Sequence, residues 1–246
     1  MINAMPSQQV HQGVFRWGGL AGILGSILMI AAFLPVGLFA GGFATTPAEA
    51  IMRFPDVWAA QAVEEVLYLA AIALMAVHFL ALYRALRATS LAPALFGSGL
   101  GIMGLILLAA GALPTVATVP IADLYHAPGA TPDDQATLIL LWQASWGMLE
   151  ALLVVGLLLL PVALLTLGVA MLRTPAFGKG YGWVSVALGI AGTAAALSLM
   201  VDVSTIAAVV ILALLGFHVV VGWKVLRLSN RRAVATASKP QRQAHA

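Results

Sequence analysis

The chain has 246 residues, 62% of them hydrophobic and 9% charged, with a net charge of +3 and no cysteine. A soluble domain carries about 25% charged residues, so this composition excludes that class and describes an integral protein built from spanning helices. The absence of cysteine excludes disulfides, thiolate metal sites, iron–sulfur clusters and thiol nucleophiles.

Residues 1–16 form a polar first segment, and the first span is predicted over about 17–39. Its apolar run, beginning at Trp17, is longer than that of a cleavable signal peptide. Small residues from Ala40 to Ala44 imitate a cleavage site, but the segment is read as a retained span. The next stretch, "TTPAEA", offers Thr46 as N-cap, Pro47 at the first helical position and Glu49 at the third, a capping-box pattern.

The second span is predicted over about 59–82 and contains "EEVLYLAAIALMAVH", residues 64–78. Steps of three and four residues link Gln61, Glu64, Tyr68, Ala71, Met75 and His78 on one helix face. Ionisable groups face lipid only at high cost, so this stripe is expected to face the bundle interior or a wet cavity. Glu65 is a neighbour of that stripe and lies close enough to the start of the span to reach interfacial water.

A third span is predicted over about 93–114. In the loop after it, Asp123 and His126 stand three apart, but two ligands do not make a metal site. "TPDDQA" repeats the helix-start pattern with Thr131, Pro132 and Asp134. The fourth span is predicted over about 138–171, and Ala136 to Leu172 would run about 55 Å as helix against roughly 30 Å of hydrocarbon. It therefore starts above the membrane or bends at Pro161. Gln143, Trp146 and Glu150 share a face there, and Trp142 and Trp146 are the residue type of the outer interface. Glu150 then lies at a depth similar to Glu64 and Glu65.

The fifth and sixth spans are predicted over about 181–201 and 204–226, with Asp202 as a helix cap in the turn between them. His78 lies six residues before Arg84 and His218 six before Lys224, which places both imidazoles at one depth in the inner part of the bundle. Such a pair could ligate a b-type haem, or it forms a neutral link between helices. Residues 229–246 read as a basic, disordered tail.

Eleven of the twelve basic residues fall on one side of these spans, with Arg53 alone on the other, and all nine acidic residues lie on the other side or in the outer part of a span. The positive-inside rule then puts both termini in the cytoplasm of a multi-pass protein of the cell inner membrane. The basic excess is topology, and no nucleic-acid partner is expected. Phe15, Phe96 and Phe177 recur every 81 residues, as do Gly18, Gly99 and Gly180. Each odd-numbered span also opens with a GxxxG pair, which suggests three repeated hairpins, close packing at the cytoplasmic ends, or homo-oligomers through glycine-rich faces.

The stretch "MLRTPAFGKGYGWVSVALGIAG", Met171 to Gly192, resembles a turn and following helix common in six-span bacterial membrane proteins of uncharacterised families. The resemblance implies the six-span layout and carries no site residues with it. The expected architecture is all-α and polytopic, with six transmembrane helices over 17–228. No HExxH, Walker loop or nucleophile elbow is present, so no catalytic residue is assigned. The expected function is binding or translocation of a small solute, cation or proton, using Glu64, Glu65, Tyr68, Gln143 and Glu150. The alternatives are a structural or accessory membrane protein, and a haem protein using His78 and His218.

Overall fold

In lipid every backbone N–H and C=O must be satisfied within its own segment, so a long apolar run has little choice but to become a helix. A computed structural model of the protein describes residues 6–39, 46–198 and 204–237, with side chains over 13–34, 46–198 and 210–230. Its helices are α1 (Pro6–Phe39), α2 (Pro47–Leu86), α3 (Leu91–Tyr125), α4 (Pro132–Leu172), α5 (Lys179–Ser198) and α6 (Ser204–Ala237). All six are long and apolar enough to cross a membrane, and no strand occurs among the described residues. The chain is thus a six-helix, multi-pass membrane protein. Residues 40–44, where the sequence imitates a cleavage site, and the cap expected at Asp202 lie outside the described residues.

The helices form a ring in chain order, each packed on the next, and α6 closes the ring against α1. The even-numbered helices α2, α4 and α6 also touch one another across the middle. Five helices outrun the bilayer: α1 and α6 have 34 residues each, α2 has 40, α3 has 35 and α4 has 41, or about 50–60 Å each against roughly 30 Å of hydrocarbon. Excess length is therefore not peculiar to the fourth span. That span begins well above the membrane, at Pro132, and passes through Pro161 as one helix. Gly192 of α5 leaves room for the proline ring, since a Cβ there would come within 2.9 Å of Pro161.

The outer ends of α2, α3 and α4 build a small core of their own from Ile51, Phe54, Ala122 and Trp142. Phe54 and Trp142 meet edge to face at 5.4 Å. Trp142, expected at the lipid interface, is instead 3% exposed inside this crown. His126 Nε2 lies 3.0 Å from the Ile51 carbonyl and ties α3 to α2, so the ring is engaged in packing and not in a pair with Asp123.

Both predicted helix starts form. Thr46 accepts from the Glu49 N–H at 3.2 Å, and Glu49 also reaches Arg53 at 3.1 Å. At α4 the box is closed in both directions: Thr131 Oγ1 accepts from the Asp134 N–H at 3.2 Å and the Thr131 N–H donates to Asp134 Oδ2 at 3.0 Å. Thr131→Ala is expected to cost about 1 kcal/mol locally, read as faster amide exchange over the first turn of α4 with the rest of the helix unchanged.

Two boundaries differ from the sequence reading. Helix α1 begins at Pro6, inside the polar first segment, and α6 runs to Ala237, so the first part of the expected tail is helical. Arginine and alanine are good helix formers, and "SNRRAVATA" continues the turn of the span before it.

The glycines at the end of the bundle that carries most of the basic residues pack closely. A methyl group at Gly18 would overlap the Ala81 side chain, and one at Gly19 would meet the Gly222 carbonyl at 2.7 Å. The 81-residue period is not a repeat of packing, however. Phe15 and Phe177 are buried while Phe96 is 66% exposed, and Gly99 and Gly180 face open space. Gly182 of α5 packs on Leu172 of α4 rather than on α6. Most of the paired glycines are covered by neighbours in the same bundle.

Candidate functional site

The stripe on α2 does face inward. Gln61, Glu64 and Tyr68 line a cavity of about 270 Å³ enclosed by α1, α2, α3, α4 and α6, to which α5 contributes no side chain. Glu65 lines it too, because α2 presents both flanks of its inner face at this level. Thr115 of α3 lines the same cavity, its hydroxyl donating to the Ala112 carbonyl at 3.0 Å. Tyr68 Oη donates to the Leu108 carbonyl at 3.2 Å, which fixes the ring against the α3 wall.

From α3 come Leu108, Gly111, Ala112 and Thr115, spaced as one helix face. Helix α4 supplies Trp146, Leu149, Leu153 and Leu157 in steps of three and four. Met29 and Phe33 of α1 and Ile211, Leu214 and Leu215 of α6 complete the wall. Among the described residues no basic side chain lines the cavity, so its two carboxylates have no cationic partner there.

Gln143 and Glu150 are not part of it. Both are exposed, and Glu150 Oε1 accepts from Trp146 Nε1 at 3.1 Å. The stripe of α4 that meets the cavity runs through 146, 149, 153 and 157, and positions 143 and 150 fall to one side of that line. Thr115 was missed from the sequence. The signal was present in its i, i+3, i+4, i+7 relation to Leu108, Gly111 and Ala112, but nothing in α3 alone says which face meets α2.

Exposed tryptophans mark the depth. Trp17, Trp183 and Trp223 ring the end that carries the basic residues, and Trp58 and Trp146 stand at the other end. Trp223 lies under the Arg227 guanidinium at 5.1 Å. Glu64 is about 30 Å of helix axis from Arg84, which puts the carboxylates at the edge of the hydrocarbon away from the basic end. Below the cavity, Ala71 and Met75 are fully buried, so the site is closed toward the inner side.

His78 and His218 meet where the sequence put them. Both are fully buried, with ring centroids 5.1 Å apart in an edge-to-face arrangement. His78 Nδ1 is 2.8 Å from the Gly18 carbonyl. Phe79 and Phe217 close on His218 at 5.1 and 5.5 Å. A haem held by two imidazoles needs a flat macrocycle between them, and rings already in contact leave no such gap. The residues do not fit that group. The pair is an interhelical packing element in which His78 Nε2 and both His218 nitrogens have no hydrogen-bond partner among the described residues. Among the described residues no three histidine, aspartate or glutamate side chains are grouped to hold a metal.

Comparison with known proteins adds no relative: no protein-family model matches the chain, and no curated protein or solved structure is significantly similar to it.

Proposed function

We propose that this is a protein of the cytoplasmic membrane, with both termini inside, that binds a small solute in an outward-facing cavity, as a receptor site or as the first step of translocation. The orientation rests on the basic residues at one end of the bundle, among them Arg16, Arg84, Arg87, Arg173 and Lys179. The binding reading rests on one observation: two carboxylates enter a cavity whose remaining wall is mostly aliphatic. Carboxylates at such depth are costly unless they have a partner, and an unfilled apolar space forfeits packing. A solute supplies both.

The test closes the cavity without touching the carboxylates. A Cβ at Gly111 would have only the Leu149 carbonyl and Leu152 Cβ nearby, each at 3.9 Å, so Gly111→Leu can be accepted and its longer side chain takes up cavity space. A solute at a hundred times its Kd stabilises the protein by about 2.7 kcal/mol, or roughly 5–10 °C of Tm for a chain of this size. Solutes that raise the Tm of the wild type in detergent are expected to have no effect on Gly111→Leu. Equal shifts in both proteins, or no shift from a broad solute panel, would return Glu64 and Glu65 to a purely structural or accessory role.

A further inference from the structure

The geometry points to a substrate class for this cavity: a primary ammonium group carried on a small apolar body. This rests on the binding reading above and adds the chemistry of the ligand.

Charge comes first. Glu64 and Glu65 stand in a cavity with no basic side chain among its described lining residues, so the complement that neutralises them comes with the ligand. Three acceptors follow one another on a single turn of α2: the two carboxylates and the Gln61 amide oxygen. An –NH3⁺ group has three N–H donors and matches that set.

The rest of the wall excludes a bare inorganic cation. Hard cations take a shell of about six or more oxygens, and the oxygens here are gathered on the α2 and α3 side. Opposite them stand Leu149, Leu153, Leu157, Leu214 and Leu215. A cation alone would also leave most of the 270 Å³ to water against aliphatic surface. A ligand with an apolar body fills that volume and buries the wall. Tyr68, Phe33 and Trp146 line the same space, and aromatic faces favour ammonium over a neutral head group of the same shape. Phe33 and Trp146 are partly exposed, 37% and 40%, and flank the outer level of the site, where amphipathic cations concentrate.

The experiment is calorimetric titration of the full-length protein in detergent with three matched pairs: 2-phenylethylamine and 2-phenylethanol, hexylamine and hexanol, cyclohexylamine and cyclohexanol. At least one amine is expected to bind about tenfold or more tightly than its alcohol, with no competition from millimolar sodium or potassium. In Glu64→Gln/Glu65→Gln that amine should fall to about the affinity of its alcohol, while a Tm without ligand no lower than that of the wild type reports an intact fold. Equal affinities within every pair in the wild type, all lost in Gly111→Leu, overturn the ammonium assignment and leave the cavity as the binding site. Saturable binding untouched by Gly111→Leu overturns the binding reading itself. Displacement of the amine by sodium or potassium, or no saturable binding by any of the amines, also overturns the ammonium assignment.

Discussion

Gly22→Leu is expected to be among the most damaging single changes in the bundle. A Cβ at residue 22 would come within 2.8 Å of His78 Nδ1 and 3.0 Å of the His218 carbonyl. Neither can retreat. His78 is held by the Gly18 carbonyl on one side and by the His218 ring on the other, and residue 218 belongs to the backbone of α6. Overpacking of a tight core costs roughly 1–3 kcal/mol, and a leucine at a three-helix junction is expected at or above the top of that range. For a chain of this length that is a Tm fall of about 6–12 °C. Gly22→Ala should fall between the two. Gly99→Leu is the control: it is the counterpart of Gly18 in the 81-residue period and faces open space, and its Tm should move by about 1–2 °C at most. Equal losses at 22 and 99 would mean that the ring does not close as described.

The second large effect is at His218, where size and polarity pull in opposite directions. The ring is fully buried against His78, Phe79 and Phe217, and neither nitrogen has a hydrogen-bond partner. His218→Ala leaves a hole and should cost about 2–4 kcal/mol. His218→Leu keeps most of the volume and removes two unpaired polar atoms, so its stability should lie within about 1 kcal/mol of the wild type or above it. At position 78 the same change to leucine also loses the bond to the Gly18 carbonyl, and it should cost more than at 218, by about 1 kcal/mol. Thermal unfolding of the four proteins orders them. A His218→Leu variant as weak as His218→Ala would show that the imidazole has a polar partner, such as a buried water.

The count of spans was legible because hydropathy reports the lipid directly. The reach of the helices was not. Hydropathy stops at the edge of the hydrocarbon, whereas α2, α3 and α4 continue because their outer ends pack on one another through Ile51, Phe54, Ala122 and Trp142. The capping patterns at Thr46 and Thr131 did mark the true starts, and the local rule was the better guide there. In the site, Glu64 and Tyr68 were legible from their three-and-four spacing. Gln143 and Glu150 were misplaced because α4 is apolar nearly all round, so its sequence offers no contrast from which to draw a face. Thr115 needed a partner helix to give it meaning.

The closure of α6 on α1 has a consequence for how the chain is made. The hairpins α1–α2 and α3–α4 can pair as they leave the ribosome, but the Gly19 notch of α1 is covered only when Gly222 arrives, near the end of synthesis. Until then His78 has no α6 beside it, and a polar ring on a glycine-rich groove is turned toward lipid. Assembly is therefore decided by its last span. A chain cut short before residue 222 would hold nearly all of its hydrophobic mass and still display the one surface that marks it as unfinished.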